Sequence, residues 1–165
     1  GAQSPFALVR EIRRWFDGPL ALSGAITHGR SILAAQAIGA DFAYIGSAFL
    51  ATKESNAPEP QKQRMIESTA EDIVYSNLFT GVHGNYLRGS IAASGLDPDN
   101  LAQSDASAMS FGSGAKGEAK AWRGIWGSGQ GIAELTGSVT TQELVDRLKR
   151  EYDQARQEMA LVLSA

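Results

Sequence analysis

The chain has 165 residues, 43% hydrophobic and 20% charged, with a formal net charge of -3. This composition predicts one globular domain with a real core and no basic surface for nucleic acid. It has no cysteine and only two histidines, which excludes disulfides, a cysteine nucleophile and thiolate metal sites and leaves too few ligands for a multi-histidine metal centre. No apolar run reaches the ~20 residues of a membrane helix and no signal peptide opens the chain, so a cytoplasmic protein is expected.

The first predicted element is a surface helix that packs on a sheet. Ser4 and Pro5 match an N-cap followed by a proline at the first helical position. Apolar residues then recur at helical spacing as far as Trp15 and Phe16, with the arginines mostly facing solvent. The turn residues at 17–19 should end the helix.

A strand–helix–strand unit is predicted next, within residues 19–52. Residues 20–22 are wholly apolar, which is typical of a strand buried on both faces, and residues 42–45 form the second strand. The helix between them can be capped by Thr27 or Ser31. A unit this short predicts two parallel strands joined by a right-handed crossover.

Each of these strands ends in a turn of small residues. Ser23, Gly24 and Ala25 follow the first strand, and Gly46 and Ser47 follow the second. Parallel neighbours that both end in bare turns present backbone amides side by side, which is the arrangement that holds a phosphate. The sequence therefore predicts a phosphate cradle at this edge of the sheet.

The rest of the chain alternates short elements with loops that hold most of the glycines. The predicted elements are a polar loop at 53–60, a short helix at 61–68, a third strand at 72–75, a helix at 85–94, mostly irregular structure at 96–120 and an aromatic, glycine-rich segment at 122–132.

The last helix has the clearest signal. Thr140 and Glu143 form a capping box, and apolar residues follow at helical spacing. The predicted inner residues are Leu144, Leu148, Tyr152, Ala155 and Met159.

Five motifs stand in a recognisable order along the chain: QSPFALV at 3–9, LSGAITHGR at 22–30, IGSAFLAT at 45–52, LFTGVHGNYL at 78–87 and WGSGQG at 126–131. Together they resemble the nitronate monooxygenase family, formerly called 2-nitropropane dioxygenases. The resemblance implies an α/β fold, the C-terminal part of an FMN-binding TIM (β/α)8 barrel that is incomplete in this chain. It divides the chain into barrel βα units at 1–80, glycine-rich loops and short helices at 81–137, and the C-terminal helix at 138–165.

Carried over from the family, the two turns hold the FMN phosphate. The residues so assigned are Ser23, Gly24, Ala25, Tyr44, Ile45, Gly46 and Ser47. Two of them depart from the family pattern, because Ala25 replaces a glycine and Ser47 replaces a threonine. Backbone N–H donors survive both changes, and Ala25 would cause difficulty only if its position requires a positive φ.

The family's catalytic histidine would lie upstream of Gly1, so no catalytic residue is expected in this chain and the isolated chain is expected to be inactive. His83 is a candidate to line the pocket, and so is Gln130, in a segment that either closes over the flavin or fills the core. His28 is better explained as a capping or solvated residue, and Lys62 as the partner in a structural salt bridge.

The function implied is that of an FMN-dependent oxidoreductase, which oxidises alkyl nitronates or nitroalkanes with O2. One alternative is a flavin-dependent enoyl-acyl-carrier-protein reductase, which shares the barrel and the phosphate turns. Another is a non-catalytic fragment or assembly module that needs a partner chain. The expected partner is the missing N-terminal half of the barrel or another copy of the chain, with no role for nucleic acid or membrane.

Overall fold

The computed structural model describes residues 3–104 and 124–164, and most of the segment predicted to be irregular lies outside them. The helices are α1 (Pro5–Ile12), α2 (Gly29–Ala37), α3 (Ser47–Leu50), α4 (Glu59–Ile66), α5 (Arg88–Ala93) and α6 (Thr141–Leu163). The strands are β1 (Ala21–Ser23), β2 (Phe42–Tyr44), β3 (Ile73–Ser76) and β4 (Gly84–Leu87), and short 3-10 helices lie at Ala70–Asp72 and Gln130–Glu134.

Strands β1 and β2 are parallel neighbours, as the strand–helix–strand pattern predicts. Leu22 pairs with Ala43 in the centre of the ladder, and Ser23 pairs with Tyr44 at its carboxyl end. The prediction that the first strand is buried on both faces is wrong, because Ala21 and Ser23 are exposed and Leu22 is only half-buried. Helix α2 covers one face of this pair, and no described element covers the other.

Strands β3 and β4 form a separate antiparallel pair. The predicted strand at 72–75 is therefore found one residue later, in a second sheet. The helix predicted at 85–94 begins only at Arg88, because residues 84–87 pair with β3 and form β4. Backbone pairing across the sheet thus overrides the local helical pattern.

A third stretch of backbone lies along the other edge of β4. The Leu87 N–H donates to the Trp126 carbonyl at 2.9 Å, and the Ser128 N–H donates to the Asn85 carbonyl at 3.1 Å. Tyr86 and Gly127 form the antiparallel bridge between these two bonds. Residues 126–128 therefore extend the β3–β4 sheet by a short third strand.

Helix α6 begins with the predicted capping box. The Glu143 N–H donates to Thr140 Oγ1 at 3.2 Å, and the Thr140 N–H donates to Glu143 Oε2 at 2.7 Å. Of the predicted inner residues, Tyr152 is half-buried and Met159 is exposed. The buried ones are Leu144, Leu148 and Ala155.

The main core lies where α3, α4, β4, the second 3-10 helix and α6 meet. It collects the buried side chains Ala48, Ala51, Met65, Leu87, Ile132, Leu135, Leu144 and Leu148. A smaller cluster beneath β1 and β2 consists of Ile26, Ala35 and Ala40. The side chains of Leu87, Ile132, Leu135, Leu144 and Leu148 thus pack against the helices that follow β2, which joins early and late parts of the chain.

Helix α1 ends earlier than predicted, and its arginines are not all solvated. Trp15 lies beyond the helix and is 76% exposed, so it does not pack on the sheet. Arg13 instead turns inward, where its guanidinium donates to the carbonyls of Gly18 and Gly39 and to the Asp41 carboxylate. The side chain that fastens α1 is therefore a cation rather than an aromatic ring.

None of the helices within residues 3–104 and 124–164 is both long and apolar enough to span a membrane.

Candidate functional site: a cradle of backbone amides

The two predicted turns meet at the carboxyl ends of β1 and β2 and enclose a small concave site, called the cradle below. Its volume is about 160 Å³. The structure thus brings together six of the seven residues assigned to phosphate binding. The lining residues are Ser23, Gly24, Ala25, Ile26, Thr27, Tyr44, Gly46, Ser47, Gly129 and Gly131.

Backbone donors of the cradle are left without acceptors. The N–H groups of Ala25 and Gly46 donate to no other residue within the described parts of the chain, whereas the parallel register of Ser23 with Tyr44 directs the Gly24 N–H towards the Tyr44 carbonyl. Backbone N–H groups are obligatory donors, and those in a native structure are nearly always satisfied by protein, water or ligand. Several such donors around one concavity form the nest that binds an anion.

Ala25 adopts the left-handed backbone conformation, with φ of +56°. It is the single non-glycine residue with a positive φ within residues 3–104 and 124–164. The conformation costs an L-residue about 1–2 kcal/mol, so the condition under which Ala25 would be a problem is met. Backbone strain of this kind is concentrated at ligand sites, and Ala25 lines the cradle.

The third wall of the cradle comes from the aromatic, glycine-rich segment. Gly129 and Gly131 line the cavity, whereas Gln130 between them is exposed and does not. A side chain at position 131 would lie 2.8 Å from the Ala25 carbonyl oxygen. Sequence reasoning singled out Gln130 and missed its two neighbours, although the alternation of glycines there is a signal for close backbone approach.

None of the described residues lines the cradle with a charged side chain, so an anion there would be held by N–H and O–H dipoles. Arg147 donates to the carbonyl of the cradle residue Thr27 at 3.4 Å and to the Glu134 carbonyl at 3.3 Å. Arg147 therefore joins the first turn and the third wall by their carbonyl oxygens.

The N-terminus of α2 is already occupied by side chains. His28 Nδ1 accepts the Arg30 N–H at 3.0 Å, so His28 is the N-cap of α2 and the prediction that Thr27 or Ser31 caps this helix is wrong. Glu151 Oε2 accepts the Gly29 N–H at 2.8 Å and lies 3.6 Å from His28 Nδ1. The cradle therefore depends on its turns and not on the amide groups of this helix.

His83 lies in a different cavity from the cradle, between β3 and residues 98–103. That cavity has a volume of about 210 Å³ and includes Asn77 and Gln103. The His83 imidazole stacks on Tyr75 with ring centroids 4.9 Å apart. The structure therefore does not bring His83 to the predicted phosphate site.

Two other residues singled out from the sequence, Ile45 and Lys62, lie outside the cradle and make structural contacts. Ile45 does not line the cradle and packs against both hydrophobic clusters. The salt bridge predicted for Lys62 is absent from the described residues; its ammonium is buried and donates to the Lys53 carbonyl at 3.3 Å. Within residues 3–104 and 124–164 no group of His, Asp and Glu side chains could hold a metal ion.

The family profile described as nitronate monooxygenase matches residues 1–151. The chain therefore belongs to the nitronate monooxygenase family. A curated relative named nitronate monooxygenase, from Paraburkholderia phytofirmans, is 29% identical over 161 residues, which cover 93% of this chain and 43% of the relative. The chain thus spans less than half the length of the curated relative that it matches.

Solved structures show the same fold. Nitroalkane oxidase from Streptomyces ansochromogenes matches with a TM-score of 0.72 and 27% identity, over 94% of this chain and 45% of that protein. FabK from Thermotoga maritima matches with a TM-score of 0.69 and 17% identity, over 97% of this chain and 52% of FabK. At that identity the FabK match shows the α/β fold alone.

Proposed function

We propose that this chain supplies the phosphate site of an FMN-dependent oxidoreductase that oxidises alkyl nitronates or nitroalkanes with O2. The observation that carries the proposal is the cradle itself, in which the unpaired amides of Ala25 and Gly46 and the hydroxyl of Ser47 surround one cavity at the ends of two parallel strands. Family membership supplies the chemical class of the ligand, and the name of the Streptomyces relative is consistent with a nitroalkane substrate.

The residues present fit a phosphate group. The cradle has free donors, no carboxylate and an opening of suitable size, and Gly46 leaves space where any Cβ would project. Ser47 Oγ accepts a hydrogen bond from Gly129, so its own proton remains available to a phosphate oxygen. A flavin bound here would supply the electron transfer to O2.

What the chain does in this scheme is binding and orientation. The amides of the turns fix the phosphate end of the cofactor, and Tyr44, which is 67% exposed beside the cradle, borders the path along which the remainder of the ligand extends. Neither histidine lines the cradle, so no proton transfer is assigned to this chain.

The proposal is tested by comparing FMN with riboflavin, which differ by the phosphate. Amide NMR shifts are followed during titration because they detect weak binding. We expect FMN and inorganic phosphate to move the resonances of Gly24, Ala25 and Gly46, and FMN to bind roughly 10 to 100 times more tightly than riboflavin, the range for hydrogen bonds to a charged group. Equal binding of the two flavins would contradict the proposal.

A charge variant with an isosteric control sharpens the test. Ser23→Asp places a carboxylate at the cradle and should abolish the preference for FMN over riboflavin by like-charge repulsion. Ser23→Asn has nearly the same shape and no charge, and should retain the preference. If the two variants bind FMN equally, the anion does not lie in the cradle.

The electron donor that the enzyme uses distinguishes the reductase alternative from the monooxygenase proposal. With flavin bound, nitronate-dependent O2 consumption supports the monooxygenase proposal, whereas oxidation of a reduced nicotinamide coupled to an enoyl thioester supports the reductase. Because the curated relative is more than twice as long, both assays require the protein in its longer form.

We further propose that the uncovered face of β1 and β2 is closed by additional barrel units. Phe42 is 60% exposed and lies beside Tyr44 on this face. Two aromatic rings exposed on a parallel pair are unusual, because parallel sheets are normally covered on both faces. The length of the relative matches a barrel of which this chain would be the second half.

A further inference from the structure

The third wall of the cradle is held by two hydroxyl groups, Thr27 and Ser47, together called the hydroxyl latch. Thr27 Oγ1 donates to the Gly131 carbonyl at 2.8 Å. Ser47 Oγ accepts the Gly129 N–H at 2.8 Å and lies 3.4 Å from Ser128 Oγ. These bonds join segments that are 82 to 104 residues apart in the sequence.

The residues of the hydroxyl latch are closely packed and largely shielded from water. Thr27 is only 3% exposed, so water has little access to its hydrogen bond. A Cβ at Gly131 would lie 2.9 Å from Thr27 Oγ1 and 2.8 Å from the Ala25 carbonyl oxygen. The third wall therefore packs against the first turn with no space to spare, and the hydroxyl groups of Thr27 and Ser47 hold it there.

The same segment continues into the β3–β4 sheet. Residues 126–128 pair with β4 through the Leu87 and Ser128 amides, and residues 129–131 follow at once as the wall of the cradle. No flexible stretch separates the two roles. A change in the position of the wall must therefore strain the pairing with β4.

We propose that Thr27 and Ser47 are positioning residues, which hold residues 128–131 as the third wall of the phosphate site and couple ligand binding to the pairing of residues 126–128 with β4. The proposal rests on the proposed function, since it describes a further part of the same site. Its physical basis is linkage: a ligand that binds only the closed wall lowers the population of locally opened states.

Hydrogen exchange in the ligand-free chain tests the latch without any flavin. Thr27→Val keeps the shape and removes the donor, and should speed exchange at the Ser128 and Leu87 amides roughly tenfold, the size expected for one lost hydrogen bond. Thr27→Ser keeps the hydroxyl and should exchange like the wild type. Ser138→Ala is the matched control. Ser138 Oγ donates to the Ala51 carbonyl at 2.9 Å, and neither residue lines the cradle.

Flavin binding tests the coupling. In the wild type, saturating FMN should slow exchange at Ser128 and Leu87, and riboflavin should not. Thr27→Val should weaken FMN binding about tenfold with little change for riboflavin, and Thr27→Ser should restore it. A residue with only a general structural role would change both flavins equally.

The outcomes separate the two proposals. Wild-type exchange rates in Thr27→Val, or equal acceleration in Ser138→Ala, would overturn the latch. Binding of FMN without slower exchange at Ser128 and Leu87 would overturn the coupling. Failure of FMN to bind the wild type would count against the proposed function, while exchange in the free chain still decides the latch. If Thr27→Val does not fold, Ser47→Ala removes the acceptor on the other side of the wall and takes its place.

Discussion

The two faces of the β1–β2 pair differ in how completely this chain covers them. One face packs against α2, with Ala35 buried between the helix and the strands, and α2 in turn packs closely on α6. The opposite face carries Phe42 and Tyr44 in the open. The cradle lies at the end of the strands, between the covered face and the uncovered one.

This difference shows that the helical layer alone is able to position the cradle. The contacts that place the first turn come from α2, α6 and the third wall, all within the chain. The aromatic face contributes nothing to them in this structure. Changes on the helical side should therefore alter stability and the cradle together, whereas a change at Phe42 on the open face, which does not line the cradle, should alter neither.

The largest effect is expected for Gly29→Ala, which tests the contact between α2 and α6. The added Cβ would lie 2.2 Å from the Tyr152 backbone nitrogen and 2.4 Å from the Leu148 carbonyl oxygen, and backbone has no room to yield. We expect a loss of at least about 3 kcal/mol in the free energy of unfolding, measured with urea. In the control Gly124→Ala, the new Cβ would lie 3.6 Å from Ser94 Oγ, an ordinary van der Waals distance, and the free energy of unfolding should change little.

A smaller, pH-dependent loss is expected for Asp41→Asn, which tests how α1 is fastened. The Leu20 N–H and the Arg13 guanidinium hold the pKa of the Asp41 carboxyl below its ordinary value of 3.8. A carboxyl whose pKa is lower in the folded state stabilises the fold above the unfolded pKa, and this contribution is lost as pH falls through the folded pKa.

The Asp41→Asn variant should therefore unfold at lower urea concentration than the wild type at pH 7. The gap should narrow as pH falls below the ordinary value of 3.8 and close only as pH passes through the lower pKa of the folded carboxyl. Glu71→Gln is the control, because the Glu71 carboxylate has no hydrogen bond within the described residues. A wild-type acid profile in Asp41→Asn would show that this carboxyl does not fasten α1.

A small gain in stability is expected for Ala25→Gly, at the boundary between the two faces. Glycine removes a left-handed penalty of about 1–2 kcal/mol and adds an entropic cost of about 0.5–1 kcal/mol, so the net gain should be about 0.5–1 kcal/mol. The matched control is Ala92→Gly on the exposed side of α5, which should lose about as much. Thermal unfolding of both variants shows whether each is more or less stable than the wild type. Lower stability of Ala25→Gly would contradict the inference that Ala25 is strained.

The smallest effect is expected for Phe42→Thr on the open face. Threonine keeps β propensity, and the ring makes few contacts to lose, so the free energy of unfolding should change by less than about 0.5 kcal/mol. Self-association at high concentration, followed by sedimentation, should decrease as the apolar face shrinks. The comparator Phe49→Thr removes a ring packed against the main core and should be clearly more destabilising. Equal effects would mean that the two rings are equally covered.

Local signals predicted the parts of the fold that depend on neighbouring residues. The strand–helix–strand unit and the capping box of α6 follow from patterns within a few residues, because helix caps and crossovers are local, whereas the cap of α2 is His28 and not the predicted Thr27 or Ser31. The two small-residue turns were predictable for the same reason. Their meeting in one cavity follows from the parallel register of β1 and β2.

Long-range contacts decided what these patterns left open. Residues 84–87 carry a helical pattern and form a strand because β3 and residues 126–128 supply partners on both edges. Arg13 has the pattern of a solvated face and turns inward because the carbonyls of Gly18 and Gly39 converge on it. No spacing along the chain contains that information.

By itself, the sequence determined the family, the βαβ unit and the two turns of the cradle, because each is written in short motifs whose chemistry is local. Only the tertiary structure decided that Ala25 must be left-handed and that Gly129 and Gly131, rather than Gln130, complete the site. The physical reason is close approach: a side chain at Gly131 would have its Cβ 2.8 Å from the Ala25 carbonyl oxygen, and such a contact between distant parts of the sequence is specified by packing and not by neighbouring residues.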